Sequence, residues 1–227
     1  FLGVTVTDGA GSPRAQLYAT YTDEQMKAVR AVEENKAAFI GEYSASIQLD
    51  YPSSTAKDGS SDEIVTELAR IIEQAAPEVV YTHNLADKHD THVATALRTI
   101  AAIRSLPEKA RPQALYGCEV WRDLDWMSDS DKVLFDVTLH GNLSSALMGV
   151  YDSQIAGSKR YDLATEGRRL AHATFFESHE VDAAQALIIG MDLTDLIKDT
   201  GSDVTTHVAA HIERMQQEIS ARIAKLS

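Results

Sequence analysis

The sequence predicts an α/β fold, namely a Rossmann-like, mostly parallel sheet with helices on both faces. Over the first half of the chain, short apolar and β-branched runs alternate with longer segments that have helical apolar spacing. This β-α-β-α-β-α order implies parallel strands joined by right-handed crossovers. We expect residues 1–227 to form a single domain, because a chain of this length can bury one full core.

Three strand-and-helix pairs account for the first half. The strands are rich in Val, Ile and Thr, and apolar residues recur three and four positions apart in the helices. Gly41 and Pro107 are typical of positions that follow a helix end. The predicted strands are Leu2–Thr7, 46–49 and 79–81, and the predicted helices are 24–40, a segment capped by Ser61 or Asp62, and a segment from Val93 to Ile103.

The second half is less regular. Its predicted strands are Ala114–Cys118 and 132–137, its predicted helices are 143–154, 163–176 and Val204–Leu226, and residues 186–193 favour a strand. The last helix is amphipathic over its whole length. Its apolar face either packs on the sheet of its own chain or joins copies of the chain in a homo-oligomer.

A histidine cluster follows the third predicted strand. Residues 83–92 read His-Asn-Leu-Ala-Asp-Lys-His-Asp-Thr-His and hold three of the chain's 8 histidines. Loops after parallel strands meet at the carboxyl edge of a sheet, so we expect this segment to lie near the loops that begin at Asp8 and Glu119. His89 and His92 are three residues apart at a helix start, which places them on one face. The pattern favours metal ligands or acid–base groups, and a polar helix start with solvated histidines is the alternative.

Composition excludes several classes of function. The net charge of −13 leaves no basic surplus to neutralise phosphates, so we expect no nucleic-acid partner. The single cysteine, Cys118, forms no internal disulfide, and the longest apolar run, 186–191, is too short to span a membrane. We therefore expect a cytoplasmic protein that acts on a small molecule.

Three blocks of sequence carry a family resemblance. They are Val-Thr-Val-Thr-Asp-Gly at 4–9, Val-Arg-Ala-Val-Glu at 29–33, and Pro-Glu-Val-Val-Tyr-Thr-His-Asn-Leu-Ala-Asp-Lys-His-Asp-Thr-His at 77–92. In this order they resemble the PIG-L family, the LmbE-like zinc-dependent N-acetylglucosaminyl de-N-acetylases. The last block is the most specific. The resemblance implies a Rossmann-like fold, a Zn²⁺ cofactor, and hydrolysis of the N-acetyl amide of a sugar-like substrate.

The resemblance also implies roles for individual residues. His92 matches the last histidine of the family's H-x-x-H block and would bind the metal, while His89 would stabilise the oxyanion or protonate the leaving amine. Asp87 would be the acidic catalytic neighbour. The residues expected to bind substrate are Asp8 and Arg30, which match family positions near the pocket, His83 of the cluster, Arg122 beside Trp121, and His179 at a predicted helix end.

Two features depart from the family pattern. Thr91 stands where the family often has an aspartate before the final histidine, and the chain contains no His-Pro-Asp-Asp-Glu motif. In the family this motif supplies two metal ligands and the general base, and it precedes the first strand. We therefore expect a β-α unit upstream of Phe1 to carry it. The alternative is a non-catalytic Rossmann-like binding module, or an inactive fragment with an incomplete metal site.

Overall fold

The computed structural model describes residues 1–157 and 159–227. These residues form two compact units, the first made of Phe1–Asp58 and Asp136–Leu187 and the second of Gly59–Phe135 and Ile188–Ser227. The expectation of a single domain is not tested by this division and stays a prediction. Within the described ranges no helix has the length and apolar content needed to cross a membrane.

The secondary structure follows the predicted alternation. In chain order the described residues form β1 (Leu2–Thr7), α1 (Asp23–Ile40), β2 (Ala45–Tyr51), α2 (Ser53–Lys57), α3 (Glu63–Ala75), β3 (Val79–His83), α4 (Asp90–Ser105), β4 (Ala114–Cys118), β5 (Lys132–Asp136), α5 (Gly141–Gly149), α6 (Asp152–Ile155), α7 (Tyr161–Phe175), β6 (Leu187–Asp192), α8 (Thr194–Lys198) and α9 (Val204–Leu226). The α/β class and the parallel strand segments are therefore as predicted.

In the first unit, β1 and β2 pair in parallel from Leu2↔Ala45 onward. Helix α1 begins with a capping box, in which the Thr22 hydroxyl accepts from the Gln25 amide and the Gln25 side chain accepts from the Thr22 amide. The helix ends at the predicted glycine, Gly41. This helix connects the two strands, as a parallel pair requires.

The second unit contains a four-stranded sheet in the order β3-β4-β6-β5. Strands β3 and β4 are parallel, whereas β4 and β6 are antiparallel, so this sheet is mixed. Helices α3 and α4 pack on each other, and α4 also contacts β3. Their apolar stripes enter the core, where Ile64, Leu68, Ile100 and Ile103 are at most 5% exposed. The rigid junction of β3 with α4 positions the histidine cluster.

One predicted helix is wrong. Residues 143–154 do not form a continuous helix, because α5 ends at Gly149 and α6 begins at Asp152. Tyr151 between them has φ −86° and ψ 53°, outside the helical region. Gly149 and the β-branched Val150 both have low helix propensity, which explains why the apolar periodicity continues where the helix does not.

A buried carboxylate anchors α1 in the first unit. Glu33 is only 3% exposed and accepts hydrogen bonds from the Ser153 amide and hydroxyl, each 2.7 Å long. The Arg30 guanidinium donates to the same carboxylate at 2.7 Å and lies over the Tyr151 ring, 5.1 Å from its centroid. Glu34 joins the network through the Tyr151 hydroxyl, 3.1 Å away. Arg30, a predicted substrate-binding residue, is thus held by Glu33 of its own helix and by Tyr151, which directly precedes α6.

We expect Glu33→Ala to lower the free energy of unfolding by about 3 kcal/mol, because it leaves a largely buried guanidinium and a buried amide without their acceptor. Urea unfolding followed by far-UV circular dichroism measures this change. Glu24→Ala is the matched control on the same helix, since the Glu24 side chain is 83% exposed and its ion pair with Lys27 should add little. Equal urea midpoints for the Glu33→Ala protein and the parent would contradict a stabilising role of the Glu33 carboxylate.

Candidate functional site

The histidine cluster is built by a strand end and the helix start that follows it. His83 is the last residue of β3 and pairs with Cys118 of β4. The next amide, that of Asn84, donates to the Cys118 carbonyl at 3.0 Å, which ties the start of the loop to β4. His89 is the N-cap of α4, and His92 lies within its first turn. A short loop therefore returns the chain to the strand end from which it left.

The three imidazoles of the cluster stack on one another. The His83 and His92 rings lie 4.2 Å apart between centroids and are nearly parallel, and the His92 and His89 rings lie 4.4 Å apart. The Trp121 indole continues the row, with its centroid 6.1 Å from that of His89 and an interplanar angle of 26°. His83 and His92 are half-buried, while His89 is exposed. His89 is thus the imidazole of this row that faces solvent most openly.

Asp87 holds the loop together from inside. Its side chain is fully buried, with 0% exposure. One carboxylate oxygen accepts from the His89 amide at 2.9 Å, and the other accepts from the Trp121 amide at 3.0 Å and lies 3.5 Å from Nδ1 of His92. A carboxylate beside one ring nitrogen fixes the orientation and tautomer of an imidazole, so Nε2 of His92 is the nitrogen left to bind a ligand.

Burial sets the charge states of these groups. It lowers the pKa of His83 to about 4, with a further contribution from the neighbouring His92. Burial also lowers the pKa of His92, and the adjacent His89 adds to this effect. For Asp87, burial acts to raise the carboxyl pKa, but the amide hydrogen bonds from His89 and Trp121 outweigh it, so the pKa lies below its usual value. At neutral pH, His83 and His92 are therefore neutral and Asp87 is ionised.

A second loop, residues 119–124 after β4, is tied to the first. Asn84 is completely buried and its side-chain amide donates to the carbonyls of Cys118 and Arg122, at 3.1 and 3.4 Å. Glu119 fixes the same loop by accepting from the amides of Leu124 at 2.8 Å and Ile189 at 3.0 Å. These bonds and the Trp121–Asp87 contact make the two loops one rigid assembly. The expected approach of the 83–92 and 119–123 loops is confirmed.

The chemistry of His92 fits one ligand position of a divalent metal ion. It is a neutral imidazole with a buried carboxylate behind Nδ1, which is the usual surrounding of a metal-bound histidine. Across the described ranges, no group of three or more His, Cys, Asp or Glu side chains is arranged to hold a metal ion. The fit is thus to a single ligand.

The predicted site residues divide between the two units. His83, Asp87, His89 and His92 lie together in the second unit, where Arg122 is exposed and contributes its backbone carbonyl to the Asn84 bond. The other three predicted residues belong to the first unit. Asp8 pairs with Lys27 at 3.2 Å, Arg30 belongs to the Glu33 network, and His179 is exposed after α7. Their roles in substrate binding stay predictions.

Sequence reasoning did not single out Asn84, and it left Trp121 open between a sugar-stacking rim and a surface hydrophobic anchor. Asn84 stands inside the histidine block, where its position immediately after a strand was the available signal. Trp121 is conspicuous as one of only 2 tryptophans. Neither local signal reveals the hydrogen bonds by which Asn84 and Trp121 join the two loops, because those bonds depend on how β3 pairs with β4.

Comparison with known proteins supports the predicted family. Residues 1–103 match the family model of GlcNAc-PI de-N-acetylase, PIG-L, which confirms the resemblance over this part of the chain. The histidine cluster lies inside the matched range. No curated protein matches the sequence.

Solved structures share the fold at low sequence identity. The N,N'-diacetylchitobiose deacetylase of Pyrococcus horikoshii superposes with a TM-score of 0.63 at 10% identity, over 90% of this chain and 77% of the deacetylase chain. The 4-carboxy-2-hydroxymuconate hydratase of Pseudomonas putida gives 0.60 at 18% identity, over 85% and 83%. A conserved protein of Thermus thermophilus also gives 0.60 at 18% identity, over 89% and 85%. At these identities the likeness establishes the Rossmann-like PIG-L/LmbE fold alone.

Proposed function

We propose that this protein is a zinc-dependent hydrolase that removes the N-acetyl group from a sugar-like substrate, with N-acetylglucosamine derivatives as the first candidates. The observation that carries the proposal is the row of three imidazoles around the buried Asp87. This row lies within the range that matches a de-N-acetylase family. One protein of the same fold is a chitobiose deacetylase and another is a hydratase, so the fold by itself does not choose the reaction.

In the proposed mechanism, His92 would hold a zinc ion through Nε2 as one of its ligands. The chemistry that zinc would supply there is Lewis-acid polarisation of the acyl carbonyl and a lower pKa for a water molecule. Asp87 keeps the His92 ring in register and does not itself reach the substrate, because its side chain is fully buried. The His83 ring stacks on the His92 ring and limits how far the His92 ring can tilt.

His89 performs the proton and charge chemistry. Its ring is exposed one turn before His92, and its backbone N–H donates a hydrogen bond to the Asp87 carboxylate, which fixes its position. From this position it donates a hydrogen bond to the oxyanion or a proton to the leaving amine. His83 and Arg122, which lie in the same unit as the cluster, are proposed to contact the polar groups of the substrate. Substrate binding by Asp8, Arg30 and His179 stays a prediction.

The direct test is acetate release from N-acetylglucosamine and from N-acetylated disaccharides by the purified full chain supplied with Zn²⁺. We expect one free amine and one acetate per turnover, detected by an amine-reactive dye and a coupled acetate assay. Turnover should be lost with a chelator and restored by added Zn²⁺. Binding of the sugar without any acetate release would instead favour the non-catalytic binding module.

A further inference from the structure

We propose that His207 and His211, at the start of α9, form a binding site for a divalent transition-metal ion in addition to the histidine cluster at residues 83–92. The two residues are four positions apart on one helix, so their side chains project from the same face. Their rings lie 5.2 Å apart between centroids, at an interplanar angle of 77°. Two histidines at this helical spacing are a recurrent zinc-binding pair, and imidazole also suits Cu²⁺ and Ni²⁺.

The distance between the two rings fits a shared ion. Zinc bonds to an imidazole nitrogen at about 2.0 Å, which puts the ring centroid about 3.2 Å from the ion. Two imidazoles on one tetrahedral zinc ion therefore have centroids about 5 Å apart. The observed separation of His207 and His211 matches this value, so both rings can bind one ion while the helix keeps its geometry.

Each imidazole has an acceptor at one nitrogen, which leaves the other nitrogen for a metal. Nδ1 of His211 lies 3.1 Å from a carboxylate oxygen of Asp131, and Nε2 of His207 lies 3.0 Å from the Asp192 carbonyl. Metal-bound histidines are commonly held in this way, because such a contact fixes the ring and its tautomer. Burial and the neighbouring His211 lower the pKa of His207, so this ring is in the neutral, metal-binding form at neutral pH.

The second nitrogen of His211 needs a partner. Its Nε2 is buried and has no hydrogen-bond partner among the described residues, in a side chain that is only 8% exposed. The Arg214 guanidinium, which can only donate, lies 2.8 Å from Nδ1 and also donates to Asp131. If Nδ1 accepts from Arg214, the proton on Nε2 lacks an acceptor, and if Nδ1 donates to Asp131, the Nε2 lone pair lacks a donor. Buried polar atoms are rarely left unpaired, and in the second tautomer a metal ion pairs this one.

The charges around the pair favour a cation. Asp192 and Asp195 both act on the His207 ring to raise its pKa, against the larger effect of burial. Asp131 neutralises the Arg214 guanidinium beside it. Two imidazoles and water molecules are the expected ligands, since across the described ranges no group of three protein ligands is arranged to hold a metal. With two protein ligands the ion exchanges readily, so dialysis should remove it.

Calorimetric titration of Zn²⁺ into the His92→Ala protein tests this site apart from the histidine cluster and from any deacetylase activity. We expect zinc binding whose dissociation constant rises at least about 10-fold when His207→Ala or His211→Ala is added, because the loss of a ligand costs more than the loss of a hydrogen-bonded partner. Gln217→Ala, an exposed change on the same helix, is the matched control and should bind zinc like the His92→Ala protein. Far-UV circular dichroism verifies that each variant is folded. No zinc binding by the His92→Ala protein, or an affinity that His207→Ala leaves unchanged, would overturn the proposal.

Two further variants in the same His92→Ala background separate metal binding from a structural role of the pair. Asp131→Asn removes the charged acceptor at Nδ1 of His211 and should weaken zinc binding by about 10-fold. Arg214→Gln removes a positive charge and the donor that competes for Nδ1, so zinc should bind more tightly, although the ion pair with Asp131 is lost. A purely structural role would make neither variant a better zinc binder. Weaker zinc binding in Arg214→Gln would overturn the assignment of Nε2 as the ligand atom.

Discussion

His89→Ala should lower kcat for deacetylation by about 100-fold or more, the usual size of a general acid–base contribution, while the zinc content stays that of the parent. The exposed imidazole is removed, but the contact of residue 89 with Asp87 uses its backbone amide and survives. The start of α4 should therefore be unchanged. Initial rates over a range of substrate concentrations give kcat and KM separately. Lys88→Ala, which changes the adjacent exposed side chain, is the control and should retain full turnover.

A double-mutant cycle with Trp121 separates this role from a general loss of structure. The Trp121 ring is an aromatic neighbour of His89, with the two ring centroids 6.1 Å apart. If the indole acts by holding that imidazole, Trp121→Ala lowers kcat in the parent and has no further effect in the His89→Ala background. Additive losses would show that Trp121 acts independently. Unchanged turnover in His89→Ala itself would assign the histidine to a solvated helix start.

The sequence predicts the fold best where local patterns are strong. β1 and α9 have the predicted bounds, because an apolar β-branched run and a long 3.6-residue periodicity each specify one structure. The antiparallel position of β6 beside β4 was not predictable in this way. Its apolar run indicates a buried strand, but its direction depends on long-range pairing across the sheet. Residues 150–151 show the converse, since apolar periodicity persists there while the backbone leaves the helix.

In the candidate site, too, local spacing was predictable from the sequence, whereas contacts that depend on the folded chain were not. The spacing of His89 and His92 correctly places both imidazoles near each other, because a helix start fixes that distance. The stacking of His83 on His92 and the burial of Asp87 were beyond the sequence, since both require the loop to return to the end of β3. Asp8 and Arg30 were chosen because their sequence blocks resemble the family. Their ion pairs, Asp8 with Lys27 and Arg30 with Glu33, could not be predicted from that resemblance.

His92→Ala should remove zinc from the protein and abolish turnover together. His92 is the one imidazole of the cluster with a buried carboxylate behind Nδ1, so it is the residue whose loss deprives the metal of an oriented ligand. Metal content after dialysis, measured by mass spectrometry, gives a readout that does not depend on activity. His89→Ala is the matched control from the same cluster, and it should keep its zinc while losing turnover.

Asp87→Asn extends this prediction to the residue behind the ligand. Removing the carboxylate charge should weaken zinc binding by about 10- to 100-fold, which is less than the loss in His92→Ala, because the ligand itself is still present. Competition with a fluorescent zinc chelator measures these affinities, and circular dichroism checks that α4 is intact. The expected order of zinc affinity is therefore parent and His89→Ala first, then Asp87→Asn, then His92→Ala. Equal zinc content in His92→Ala and the parent would remove His92 from the metal site, and with it the central step of the proposed mechanism.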